Sequence, residues 1–244
     1  MRLSVVIPTL GEAANLPAIL PPVLAIADEV WISDGGSRDD TLAVAESLGA
    51  RTVSGPAGRG GQLNRGAERA DGDVLLFLHA DTRLPENAGQ LVRRAIASGA
   101  VGGGFRLSFD TDRPFMRFTG RCINLRTRLS GCPLGDQAQF VRRETFVAMG
   151  GYRDWPILED LDFIRRLRRL GKTTVLPAAA VTSPRRYLGR GIARTLATNW
   201  LIFALYFAGV SPHRLARLYR AGNGRPQAGR ACPTPRISTR GTRK

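Results

Sequence analysis

Three carboxylate-bearing stretches sit where apolar runs end. Asp34 follows Glu29-Val-Trp-Ile-Ser33 and precedes Gly35-Gly36; Asp81 closes Asp73-Val-Leu-Leu-Phe-Leu-His-Ala-Asp81; and Glu159, Asp160 and Asp162 open a stretch that reaches Leu170. An acid at a strand's carboxyl end, followed by glycines, can accept hydrogen bonds from a ligand while the backbone approaches closely. A carboxylate leaving a buried strand is costly unless paired or metal-bound, and a divalent ion bridging a diphosphate needs oxygen ligands at such a rim. The Glu159–Asp162 acids admit two accounts, which the residues leave open. They neutralise the dipole of a helix they begin, or one of them is a general base beside an acceptor hydroxyl. Ser37, with Asp40 three residues on, reads as a helix N-cap, leaving Asp34 to face a cleft.

Those residues must be positioned by the elements around them. Residues 3–7 read as a buried strand, 13–24 as a helix, 29–33 as a strand, 39–48 as a helix, 51–53 as a strand, 61–70 as a helix and 74–78 as a strand. Continuous β-branched runs with interleaved helices imply parallel strands covered on both faces, a doubly wound α/β pattern whose ligands bind at the strands' carboxyl ends. Beyond residue 100 the texture changes. Gly102-Gly-Gly104 reads as a turn before a strand over 105–109, followed by an Arg-rich amphipathic helix over 114–129. A strand over 135–141, helices over 144–149 and 158–170, and a strand over 173–176 come next. Residues 195–210 carry no charge and read as a buried or interfacial helix, too polar for a clear membrane span.

The chain has 244 residues with 43% hydrophobic composition, enough for a substantial core. Its 36 Lys and Arg against 20 Asp and Glu leave a net charge of +16, which points to anionic partners: substrate phosphates, an acidic membrane surface or nucleic acid. Residues 221–244 hold basic residues and no acid, and their Gly, Pro, Ser and Thr content predicts a disordered tail. Three cysteines without C-x-x-C spacing argue against a disulfide framework or zinc site and fit a reducing cytoplasm. The turn Pro8-Thr-Leu-Gly-Glu-Ala-Ala-Asn15 lacks the G-x-G-x-x-G of dinucleotide folds, and no G-x-x-x-x-G-K-[ST] occurs.

The ordered set Ser4-Val-Val-Ile-Pro-Thr9, Asp34-Gly-Gly-Ser37 with Asp40-Thr41, Gly58-Arg59 through Asn64, Phe77-Leu-His-Ala-Asp81, Gly150-Gly-Tyr152 and Glu159-Asp160 closely resembles family 2 glycosyltransferases of the GT-A fold, over residues 3 to about 185. Ser183-Pro-Arg-Arg-Tyr187, Asn199-Trp200 and Gly209-Val-Ser-Pro212 are similar to a small, non-processive bacterial subgroup. The resemblance implies an α/β domain over 1–190, with a Rossmann-like nucleotide-sugar half (1–105) and an acceptor half (106–190) on one mixed, mainly parallel sheet. A helical segment (191–220) and the tail (221–244) would follow. Pro8, Thr9, Glu12 and Asp34 would line the nucleoside pocket, and Arg59 and Asn64 would hold base or diphosphate. Asp81 would bind Mn2+ or Mg2+ as the surviving acid of a D-x-D motif whose first acid is here His79. Asp160, with Glu159 beside it, would be the catalytic base, and Asp136, Gln137 and Arg185 would face the acceptor. The implied reaction is inverting transfer from a nucleoside diphosphate sugar. The acceptor is unknown; a lipid-linked one would suit contact of residues 185–212 with the inner face of the cell membrane. Two rivals are weaker. A nucleic-acid-binding protein fits the charge but lacks a stacking platform, and a sugar nucleotidyltransferase would need a basic Gly-rich loop after the first strand.

Overall fold

The computed structural model describes residues 1–223; most of the basic tail lies outside them. In chain order the elements are β1 (Leu3–Thr9), α1 (Leu16–Leu24), β2 (Glu29–Asp34), α2 (Thr41–Ser47), β3 (Arg51–Ser54), α3 (Arg59–Arg69), β4 (Val74–Phe77), β5 (Thr82–Arg83) and α4 (Ala88–Ala97). Then come β6 (Gly102–Phe109), α5 (Pro114–Ser130), a 3-10 turn (Gly135–Gln137), β7 (Phe140–Arg142), α6 (Arg143–Ala148) and α7 (Glu159–Leu170). β8 (Thr173–Thr182), α8 (Arg185–Arg190), α9 (Ile192–Phe207) and α10 (Pro212–Asn223) complete the described chain.

The strands form one sheet in the order β3-β2-β1-β4-β7-β6-β8-β5. β1 pairs in parallel with β2 and β4, and β6 with β8; β7 runs antiparallel to β4 and β6, and β5 to β8. The mixed, mainly parallel arrangement is the expected one. Alternation along β1 feeds two cores, as a strand's period of two requires. Leu3, Val5 and Ile7 pack with Leu16, Leu20 and Val92 on one face. On the other, Val6 packs with Leu63, Leu75, Phe77 and Phe163. The second core holds an aromatic knot in which Tyr152 stacks on Phe163 at 4.1 Å and meets Phe77 edge-on at 5.0 Å. This knot seats the first turns of α7, and with them Glu159 and Asp160, against β4; each large ring contributes roughly 1.5–3 kcal/mol.

Local expectations differ from the structure in five places. Ser37 does not cap α2. Its hydroxyl donates to Asp34 and accepts from the Gly11 amide (2.8 Å), so it joins two loops. Gly102–Gly104 is strand, not turn, because β7 and β8 approach so closely that a Cβ at Gly103 would overlap the Thr174 carbonyl. Residues 135–137 form a 3-10 turn, and the strand begins only at Phe140. Helix α1 starts at Leu16, since Glu12–Asn15 is held as a turn by the Asn15 amide on the Glu12 carbonyl (2.9 Å). β8 also extends six residues past Leu176, to Thr182. Among the described residues no helix is long and apolar enough to cross a membrane.

Candidate active site

The carboxyl ends of β1 and β4, the N-termini of α3 and α7, the 135–137 turn and the end of β8 surround a cleft of about 660 Å³. Pro8, Thr9 and Glu12 form one wall, with Arg59, Asp81, Asp136, Glu159, Asp160 and Arg185 around the remainder. Residues from one end of the chain to the other therefore share a single crevice.

Each charged group is held by a specific local device. Asp160 Oδ2 accepts the Gly135 amide at 2.8 Å and Oδ1 accepts the Leu161 amide at 2.7 Å, so its carboxylate is oriented by two backbone donors. Gly135 leaves little room for a side chain. A Cβ there would lie 3.0 Å from His79 Nε2 and 3.1 Å from Asp160 Oδ2. Beside it, Glu159 is buried and accepts from Arg59 Nη1 at 3.1 Å. Burial pushes the Glu159 carboxyl above its ordinary range, against the opposing pull of the Arg59 guanidinium. Leu158, which introduces this pair, has φ 62°, a left-handed conformation costly for a leucine, on the order of 1 kcal/mol or more. The strain lies in the residue that turns the chain into α7 at the cleft.

Across the crevice, Asp81 Oδ2 lies 3.2 Å from Arg185 Nε, and Arg185 Nη2 donates to Glu12 Oε1 at 3.0 Å. The two carboxylates hold the Arg185 guanidinium more firmly protonated, outweighing its partial burial. Glu12 is itself fixed by ties between the loops after β1 and β2, including its amide on Thr41 Oγ1 at 2.9 Å.

Three expected site residues are not among those that line the cleft. Asp34 ends β2 in register with Thr9, at the rim, but its carboxylate is enclosed. It accepts from the Gly36 amide (2.8 Å), the Ser37 amide (2.7 Å), the Ser37 hydroxyl and Thr9 Oγ1 (3.1 Å). Burial raises its pKa, and these hydrogen bonds, led by Ser37, outweigh that and hold it below the ordinary aspartate value. Asn64 does not reach the cleft. Its amide clamps Tyr152 from both sides, Nδ2 to the Tyr152 carbonyl (2.8 Å) and Oδ1 from the Tyr152 amide (2.9 Å). Gln137 is fully buried, donating to the Phe105 carbonyl (2.9 Å) and accepting from Thr127 Oγ1 (2.9 Å). Both amides are engaged with the protein itself, and for fully buried Gln137 such partners are required wherever the fold leaves it.

Other lining residues escaped the sequence reading. Gln62 Nε2 donates to the Thr9 (2.8 Å) and Ser33 (2.9 Å) carbonyls and so stitches together the ends of β1 and β2. Its spacing of three from Arg59 puts both on one face of α3, a signal that was available. The far wall consists of Tyr187 from α8, Asn199, Ile202 and Phe203 from α9, and Tyr219 from α10, facing Phe109 and Leu134. Tyr187 and Asn199 stand in the stretches similar to the bacterial subgroup, whereas no local pattern indicates Ile202, Phe203 or Tyr219.

Residues 4–153 match the model of the family described as glycosyl transferase family 2. The chain belongs to that family. It is a glycosyltransferase of GT-A fold, in keeping with a small, non-processive bacterial group. It is 35% identical over 172 residues to the "PGL/p-HBAD biosynthesis glycosyltransferase" of Mycobacterium tuberculosis, covering 66% of this chain and 67% of that one. The family fold recurs in a mannosyltransferase from Pyrobaculum calidifontis solved with GDP-Man and Mn2+ (TM-score 0.60, 17% identity, 91% of this chain and 70% of that one). It recurs also in S. aureus TarS (TM-score 0.59, 17% identity), where the alignment covers 81% of this chain and the chain spans 64% of the other's length.

Proposed function

We propose that this family 2 glycosyltransferase moves a sugar from a nucleoside diphosphate sugar to an acceptor hydroxyl with inversion, and that Asp160 is the base. The observation that carries the reading is the Asp160 carboxylate, oriented by the Gly135 and Leu161 amides within the cleft that Asp81, Arg59 and Arg185 also line. Asp160 takes the proton as the acceptor oxygen bonds to the anomeric carbon. The bond from that carbon to the diphosphate oxygen breaks, and its electron pair leaves with the nucleoside diphosphate. One displacement inverts the centre and needs no covalent intermediate. A positioned base contributes about 10²–10⁴-fold.

Among the described residues no group of three or more His, Cys, Asp or Glu could hold a metal ion unaided. The donor set is nevertheless compatible with a divalent ion. Mg2+ and Mn2+ in nucleotide sites rely on one or two protein carboxylates plus substrate phosphates, and Asp81 supplies one such carboxylate. When bound with the donor, Mn2+ or Mg2+ would neutralise charge on the departing diphosphate. Arg59 and Arg185 both supply positive charge to the cleft, and Pro8, Thr9 and Glu12 of the same cleft would take the nucleoside. Asp136 and the apolar wall of Ile202, Phe203 and Tyr219 form the acceptor side, which suits an acceptor with an apolar portion such as a lipid-linked one.

A thermal-shift screen against UDP-, GDP- and dTDP-sugars with Mn2+ should raise the melting temperature with one nucleotide class. The Asp160→Asn variant should show the same shift and no transfer. Absence of any donor-dependent shift would count against the whole reading, and turnover near native in Asp160→Asn against the base assignment alone.

A further inference from the structure

Helix α5 buries Met116, Thr119, Gly120 and Thr127 on one side, yet its opposite side is also apolar. Phe115, Phe118, Leu125 and Leu129 are all exposed there, Leu129 at 79%, and with Cys122 they recur at alternating steps of three and four residues. That spacing draws one continuous stripe along a helix. Arg117, Arg121 and Arg128, all exposed, run along one flank of the stripe, and α5 contains no acidic residue. Asp110 and Asp112 precede the helix, and Asp110 pairs with Arg83 at 2.8 Å. Next to α5, joined to it by Arg126 over the Phe203 ring at 5.5 Å, α9 turns Trp200, Leu201 and Phe207 to solvent.

We propose that α5, with the exposed face of α9, lies on an anionic lipid surface, the apolar stripe entering the acyl boundary and the arginines meeting headgroup phosphates. A helix with an apolar face, a basic flank and low mean hydropathy is the form that lies in a membrane interface, and tryptophan is enriched at that depth. Charge decides among possible occupants. A second copy would bring the same arginine row against itself. The chain's own last 24 residues are rich in arginine and hold no acid, so they are repelled too. All 20 acidic residues of the protein precede Phe163, while 18 of its 36 Lys and Arg follow it, so the last third of the chain, which carries α9, is uniformly basic. Ile202 and Phe203 of α9 line the cleft while Trp200 and Leu201 face out. One helix thus links the crevice to the lipid-facing surface. This moves the centre of the contact from residues 185–212, expected from sequence, to α5, and it does not depend on the proposed transfer chemistry.

The test is co-sedimentation of the full chain with phosphatidylcholine vesicles made with and without phosphatidylglycerol. Binding should require phosphatidylglycerol and fall as salt rises. Phe118→Ser combined with Leu129→Ser should lower partitioning about tenfold, and Arg117→Glu with Arg121→Glu should lower it at least as much. Both pairs are exposed, and an unchanged melting temperature would establish that the fold persists. Partitioning of the native chain that is absent, indifferent to phosphatidylglycerol, or unaltered by both double variants would overturn the proposal. So would a concentration-dependent dimer in sedimentation velocity that Phe118→Ser with Leu129→Ser dissolves, since the stripe would then belong to a second copy.

Discussion

Arg185 and Asp81 form an ion pair across the mouth of the cleft, 3.2 Å between Nε and Oδ2, and the same guanidinium holds Glu12 at 3.0 Å. The carboxylate proposed to hold a divalent ion is thus paired with the protein's own cation. Any ion bound there must share Asp81 with Arg185 or displace it.

Replacing Arg185 should therefore have opposite effects on metal and donor. In Arg185→Ala, Mn2+ alone should bind more tightly, by about fivefold, equivalent to a partly exposed ion pair of roughly 1 kcal/mol. The nucleoside diphosphate should bind more weakly, because a cation has left the lip. Calorimetric titration of each ligand separately measures both. Weaker Mn2+ binding in the variant would refute the competition.

Gly135 offers a test of the base that leaves the carboxylate itself untouched. A methyl group at this position meets His79 and Asp160 at 3.0 and 3.1 Å, so Gly135→Ala should tilt the Asp160 carboxylate. Small misplacements of reacting groups cost up to about 10²-fold. Turnover should fall by roughly tenfold to a hundredfold, with donor affinity unchanged. Steady-state kinetics that show only a raised KM would contradict this.

Asn64 should behave as a structural clamp. Its Ala variant loses two hydrogen bonds to Tyr152, a cost of about 2 kcal/mol. Urea unfolding should register that loss, while kcat and KM at a temperature well below melting stay near native. A selective rise in donor KM would return Asn64 to the nucleotide site.

Glu159 makes stability depend on pH in a stated direction. Its folded-state pKa is raised by burial. Between the ordinary glutamate value and that raised value the native state binds more protons than the unfolded one, so stability falls as pH rises through this window. Arg59→Ala removes the partner that opposes the rise, so its destabilisation should be larger at pH 8 than at pH 5. Glu159→Gln should flatten this part of the profile. Chemical denaturation at the two pH values gives the comparison, and an Arg59→Ala penalty independent of pH would contradict it.

Much of this protein is legible without its coordinates, because the signals concerned are local. The continuous apolar run of residues 3–7, the helical pattern over 13–24 and the acids after Ser33 and Ala80 depend on residues within a turn or two of one another. They were enough to predict parallel strands with carboxylates at their ends. Boundaries slipped where a neighbour outside the segment intervened. Gly102–Gly104 became strand because Thr174 approaches it, and Ser37 left its helix for Gly11.

Side-chain destinations are decided only by the tertiary structure. Glycine-adjacent Asp34, helix-borne Asn64 and Gln137 at the acceptor turn all carry polar groups suited to a ligand, and nothing near them in sequence says whether a ligand or a backbone group will satisfy them. Asn64 finds Tyr152 across 88 positions and Arg185 finds Glu12 across 173. For the buried groups, Asp34 and Gln137, partners are obligatory, since an unpaired amide or carboxylate in the interior costs more than the hydrogen bond returns when made. Which partner it is follows from how the strands stack, and that exists only once the chain has folded.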